Sequence, residues 1–213
     1  MSDCCSSKSA DADTIDLAVV GAGSAGFSAA ITAAEGGARV ALIGYGTIGG
    51  TCVNVGCVPS KAMIRAVETL HSAKTADRFD GVEATAKVTD WAALVAQKQA
   101  LVDDLRAAKY VDVLPNYEGV SYIEGQARFA SDGSLEVGDR TIRAPKVIIA
   151  TGSSPLVPDI PGVEDVDWLD STSALEQSEL PKSLMVMGGG YIGVEIAQIF
   201  ARAGVEVPIV TRR

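Results

Sequence analysis

The sequence predicts an α/β fold made of two successive strand–glycine turn–helix–strand units, the second of them incomplete. Three observations carry this. The stretch "DLAVVGAGSAGFSAAITAAEGGARVALIG" passes from an apolar strand through a Gly-rich turn into an Ala-rich helix and a second apolar strand. Near the end, "KSLMVMGGGYIGVEIAQIFARAGVEVPIVTRR" repeats that order. The composition, 47% hydrophobic but only 5% aromatic, suits parallel strands closely covered by helices better than an all-β sandwich.

Taken in order, "MSDCCSSKSADADT" is expected to be a disordered tail, residues 1–14. Strands are expected at 16–20 and 39–43, around a helix from Ala25 to Glu35 that the Gly pair 36–37 ends. Pro59 is placed to start a helix running to about Ala73. Trp91, Leu94, Val95, Leu101 and Leu105 recur at helical spacing and predict a second long helix. From 120 to 152, short alternating strands form a β-meander, with turn signals at Asp132-Gly133 and Gly138-Asp139, ending in the apolar strand "KVIIATG". "SSPLVPDIPGVE" is a Pro-rich connector. The expected domains are therefore 15–155, a connector at 156–180, and the start of a second unit at 181–213. One βαβ unit leaves much apolar surface uncovered, so the chain reads as part of a longer polypeptide.

The net charge of −9 offers no electrostatic footprint for nucleic acid or an anionic membrane. There is no basic, apolar leader and no apolar run long enough to span a bilayer, so a cytoplasmic location is expected. Cysteines lying close together in a reducing compartment are more often catalytic or metal-binding than structural.

The first turn is Gly21-Ala22-Gly23-Ser24-Ala25-Gly26. Gly21 permits the tight turn, Gly23 lets backbone approach a pyrophosphate, and Gly26 lets helix and strand pack closely. The helix N-terminus then offers free N–H groups to the phosphates. This is a Rossmann-like dinucleotide signature. One part is missing: the acid expected at the end of the second strand is replaced by Gly44. The second turn, Gly188-Gly189-Gly190-Tyr191-Ile192-Gly193, is followed by a strand ending in Arg212 and Arg213. Arginines there suit the 2′-phosphate of NADPH; the plainer reading is solvated surface charge.

The stretch "GGTCVNVGCVPSK" holds Cys52 and Cys57. Five residues of regular α-helix rise about 7.5 Å, more than the roughly 7 Å a disulfide tolerates between Cα atoms. Gly56 can supply the break that draws the two together, and a helix starting just after Cys57 would favour its thiolate. Three readings compete. Zinc wants more ligands than Cys52, Cys57, the tail pair Cys4-Cys5 and the single His71 offer at suitable spacing. Inert buried cysteines are the bland alternative. A redox dithiol fits best.

In "VVGAGSAG", "GGTCVNVGCVPSK", "IIATGSSP" and "GGGYIGVE", the sequence resembles the pyridine nucleotide–disulfide oxidoreductases. The resemblance implies a Rossmann-like FAD-binding domain with a β-meander insertion, followed by the start of a Rossmann-like NADPH-binding domain. It implies that Gly21, Gly23 and Gly26 hold the FAD pyrophosphate, and that Gly46, Gly50, Thr51, Thr151 and Gly152 line the flavin. Ala127 would meet the adenine end. Cys57 would lie against the flavin and Cys52 would meet substrate. Lys61, paired with Glu195, would sit near the flavin; the bland reading of that pair is a solvated surface contact. Gly188, Gly190, Gly193, Arg212 and Arg213 would hold NADPH, with Tyr191 over the nicotinamide. "GTIGGTCVNVGCVPSKAMIRA" and "AQKQALVDDLRAAKY" look most like family members that reduce Hg²⁺ to Hg⁰, whereas "GGGYIGVE" looks more like the glutathione- and lipoamide-type disulfide reductases. The Cys52–Cys57 disulfide would be reduced by flavin and its thiolates would then take Hg²⁺. Cys4 and Cys5 would be a further soft-metal pair, or an irrelevant dipeptide. The family works as a homodimer, and this chain alone would turn over little. A rival of another class is a non-catalytic thiol protein that sequesters metal without flavin.

Overall fold

The structure is a computed structural model that describes residues 15–211. Cys4, Cys5, Arg212 and Arg213 lie outside the described residues. Backbone contacts divide the chain into two units. The first runs up to Ile48 and resumes from Tyr110 to Gly152; the second takes Gly49–Lys109 and the chain from Ser153 on. No helix among the described residues is long and apolar enough to cross a membrane.

In the first unit β1 (Leu17–Val20) leads into α1 (Ser24–Glu35) and β2 (Val40–Gly44). All five residues of β2 are buried, which is why its sequence is a continuous apolar run rather than an alternation. The strand β3 (Val120–Glu124) pairs in parallel with β2, Leu42 opposite Tyr122 and Gly44 opposite Glu124. It therefore belongs to the main sheet and not to the meander. The meander proper is β4 (Ala127–Phe129), β5 (Leu135–Val137) and β6 (Arg140–Ile142), paired antiparallel. Then β7 (Val147–Ile149) returns to the sheet, whose order is β3-β2-β1-β7. Ala18, Ala41, Ile43 and Ile123 from the sheet pack with Leu135, Val137 and Ile142 from the meander in one core.

Asp132 closes the β4–β5 turn. Its carboxylate accepts from the Ser134 backbone N–H at 3.0 Å and hydroxyl at 2.6 Å, and meets Arg143 Nη1 at 2.8 Å. The Ser134 hydroxyl and backbone bonds, then Arg143, lower its pKa to about 2. A carboxyl depressed from the ordinary value of about 4 stabilises the fold fully above pH 4. That contribution is lost as pH falls towards 2. Acid titration of the melting temperature is expected to steepen between about pH 4 and 2, and Asp132→Asn to flatten that segment. Identical acid profiles would refute the assignment.

The second unit is mainly helical: α2 (Gly50–Asn54), α3 (Cys57–Lys74), α4 (Trp91–Arg106), α5 (Ser171–Leu175) and α6 (Tyr191–Arg202). A short parallel pair, β8 (Val186–Met187) and β9 (Ile209–Val210), flanks α6. Two of these helices are capped by their own side chains: Asp90 accepts from Ala93 N–H at 2.9 Å, and Asp170 forms a capping box with Ser173. The core joins Met63 and Val67 of α3, Trp91 of α4, Leu175 of α5, and Ile199 and Phe200 of α6. Trp91 donates its indole N–H to Gln177 O at 2.8 Å, so the ring is buried without an unpaired donor.

Two expected details differ. The helix expected from Pro59 begins at Cys57, and Pro59 is its third residue, still within the first turn where a missing N–H costs nothing. In α4 the inward residues are Trp91, Lys98 and Val102, while Leu101 is exposed. The buried stripe runs one position beside the leucine, and the aliphatic stem of Lys98 occupies the apolar place.

Candidate dinucleotide turns and dithiol

The two glycine turns are built alike. Gly21 has φ +119° and Gly188 φ +112°. A Cβ on Gly26 would lie 1.7 Å from the Gly21 carbonyl oxygen, and one on Gly193 would lie 2.2 Å from the Gly188 carbonyl oxygen. Each helix thus rests its first turn directly on the turn's backbone. The N-caps Gly23 and Gly190 are extended, no side chain caps α1 or α6, and neither helix has an acid in its first turn. Both ends therefore keep backbone N–H groups and positive dipole for an anion. In the first unit the end of β7 adjoins this turn: the Thr151 backbone nitrogen lies 3.0 Å from the Cβ position of Gly21, and Gly152 follows. Gly46 sits just past β2, and Ala127 opens β4. The cradle lacks any side chain that would fill the approach to a pyrophosphate, so its residues fit that group.

Sequence reasoning missed Tyr110. It lies in the π-helical turn 107–111 after α4, and its hydroxyl and that of Ser24 are 2.9 Å apart. Its ring meets Phe27 edge-on with centroids 4.8 Å apart. It therefore fixes the first turn of α1. No spacing rule signals a contact between residues 86 positions apart.

In the second unit Gly49 (φ +100°) and Gly50 (φ +67°) take left-handed backbone, which lets α2 start at once. Thr51 and Cys52 stand on α2, and Cys57 is the first residue of α3. A Cβ on Gly56 would come within 2.9 Å of the Thr51 carbonyl oxygen. The missing side chain is what lets the two helices meet there. Asn54 Oδ1 accepts from Arg106 at 3.1 Å, holding α2 against α4. Both cysteines are free, exposed thiols. The Cys57 side chain and backbone N–H both reach the Cys52 sulfur. Partial burial and then the neighbouring Cys57 thiol push the Cys52 thiol above its ordinary pKa, against the pull of the Cys57 N–H and Lys109.

Lys61 and Glu195 form an ion pair, Nζ to Oε1 2.5 Å. The other carboxylate oxygen accepts from Ser60 Oγ at 3.1 Å, and that hydroxyl also lies 3.4 Å from the Cys57 carbonyl oxygen. The bond from Lys61, aided by Ser60, holds the Glu195 carboxyl below its usual range. The pair is half exposed, so its worth is positional more than energetic. Tyr191, first in α6, is 82% exposed. Among the described residues no group of three or more His, Cys, Asp or Glu could hold a metal ion.

The profile of the pyridine nucleotide-disulphide oxidoreductases matches residues 15–213. Mercuric reductase of Streptomyces lividans is 47% identical over 202 residues, covering 92% of this chain and 42% of that protein. Mercuric reductase of Staphylococcus aureus is also 47% identical, covering 92% and 36%. Among solved structures, the HOCl-induced flavoprotein disulfide reductase RclA of Escherichia coli superposes with TM-score 0.77 at 35% identity, over 91% of this chain and 41% of that one. The chain thus spans about two-fifths of the relatives it matches. With its doubled glycine turns, its parallel sheet and its paired thiols, the chain belongs to the pyridine nucleotide-disulphide oxidoreductase family.

Proposed function

We propose that the chain is the N-terminal part of an FAD- and NADPH-dependent enzyme that reduces Hg²⁺ to Hg⁰ through the Cys52–Cys57 dithiol. The observation that carries this reading is the meeting of the two thiols across Gly56, at the start of α3. Gly21, Gly23 and Gly26 would hold the FAD pyrophosphate, with Gly46, Gly50, Thr51, Thr151 and Gly152 along the flavin and Ala127 at the adenine. Gly188, Gly190 and Gly193, with Arg212 and Arg213, would hold NADPH beneath Tyr191. Bound flavin supplies the two-electron link between nicotinamide and disulfide. Cys57 is the thiol on the flavin side and Cys52 the one that meets substrate. Lys61, oriented by Glu195, keeps a positive charge beside them. As thiolates, Cys52 and Cys57 are soft ligands suited to Hg²⁺ as substrate. Over the cycle NADPH gives two electrons, Hg²⁺ takes two and leaves as Hg⁰, and one proton is released.

A disulfide substrate is the second reading. The RclA likeness and the "GGGYIGVE" turn favour it. Both readings place the protein in the cytoplasm as a homodimer acting on a small substrate, without nucleic acid or membrane.

The test begins with flavin. The 213-residue chain mixed with FAD and desalted is expected to stay yellow, with near-stoichiometric flavin. The full-length protein is then expected to oxidise NADPH when Hg²⁺ is added. Oxidation driven instead by glutathione disulfide or lipoamide would select the second reading. A colourless chain would overturn both.

A further inference from the structure

The end of β2 poses a question the family reading does not answer. A dinucleotide-binding βαβ unit ordinarily ends its second strand in an Asp or Glu that takes ribose hydroxyls. Here the residue is Gly44. A Cβ at Gly44 would lie 2.6 Å from the Ala22 Cβ and 2.6 Å from the Tyr122 hydroxyl. A side chain here would force its neighbours to shift: the Tyr122 phenol end could swing aside, but the Ala22 methyl is fixed to the backbone of the turn. The space where a carboxylate stem would begin holds the phenol end of Tyr122, reaching over from β3 beside the first glycine turn.

Tyr122 stands opposite Leu42, two residues along the strands from the Gly44–Glu124 pair. Residues two apart on a strand share a face, so Tyr122 and Glu124 point the same way. Among the described residues no group hydrogen-bonds the Tyr122 hydroxyl, and no buried side-chain polar atom there is left without a partner. The hydroxyl therefore opens to solvent. Burial of the ring, and then the Glu124 charge, raise the phenol's pKa, so it stays protonated at neutral pH and can both donate and accept.

We propose that the Tyr122 hydroxyl hydrogen-bonds the adenosine ribose of FAD, in the place and role of the carboxylate that Gly44 cannot carry. The proposal rests on the reading that this unit holds FAD. It makes Tyr122 a binding residue contributed by the neighbouring strand rather than by the strand that usually supplies one.

The test pairs deletions on both sides of the contact in the 213-residue chain, read as dissociation constants by fluorescence. The ligands are FAD and its analogues lacking the adenosine 2′- or 3′-hydroxyl. Wild type is expected to bind at least one analogue about three- to tenfold more weakly than FAD, the span of one net hydrogen bond. Tyr122→Phe is expected to bind FAD at that weaker affinity and to stop separating FAD from that analogue. Three outcomes overturn the proposal: wild type treating all three ligands alike, Tyr122→Phe binding as wild type does, or Tyr122→Phe losing affinity equally for all three. The wild-type arm needs no substitution, so a folding defect cannot mask the result. Wild type that takes up no FAD would instead overturn the reading on which the proposal rests.

Discussion

Gly26→Ala is expected to abolish flavin uptake and to lower the melting temperature by roughly 6–12 °C. The new methyl would stand 1.7 Å from the Gly21 carbonyl oxygen, a backbone atom with no rotamer by which to yield. Either α1 lifts from β1 or the turn opens. Overpacking of this kind costs about 3 kcal/mol, at the upper end because the neighbour is main chain. For a chain of this length each kcal/mol is worth about 2–4 °C. Lifting α1 also disturbs Ser24 and Phe27, both held by Tyr110. Gly36→Ala is the matched control: it sits at the end of the same helix with its nearest carbonyl at 3.3 Å and φ −79°, and should shift the melting temperature little. A Gly26→Ala protein with wild-type melting and flavin content would refute the close-packing account.

Cys57→Ser is expected to remove the redox function outright while leaving the fold intact. Cys57 is exposed at the first position of α3, and serine there is nearly isosteric and a good helix-start residue. The change should move the melting temperature little. Mild oxidation of wild type should close a disulfide within the tryptic peptide from Val40 to Lys61, which contains both thiols, and lower its mass by two hydrogens. In Cys57→Ser that loss disappears, and, on the proposed function, full-length protein carrying the change should lose the NADPH-dependent reduction of Hg²⁺. A wild-type peptide that never closes, even with equimolar oxidant, would sink the dithiol assignment.

Both glycine turns and the cysteine pair were legible in the sequence because each is a short-range device. Spacing within six residues states which backbone must approach which, and the structure places Gly21 against Gly26 and Gly188 against Gly193 accordingly. The strands of the first βαβ unit were equally legible, since β2 is apolar along its whole length. What escaped depends on distant partners. That β3 joins β2 in parallel, rather than opening the meander, is decided by pairing between residues 80 positions apart. Tyr110 and Tyr122 carry no motif; each matters only because folding brings it to a glycine turn or a glycine-ended strand. Lys98 misled in another way: periodicity scores a lysine as polar, yet its stem packs inward while Leu101 faces out.

The chain of contacts from Glu195 through Ser60 to the Cys57 carbonyl has a mechanical consequence. Glu195 stands one turn beyond Tyr191 on α6, and Ser60 one turn into α3, so any tilt of α6 pulls on the main chain that holds a sulfur. Occupancy at one helix tip would then be felt as strain at the other, and a nucleotide analogue that never exchanges an electron should still alter how fast an alkylating reagent finds Cys57.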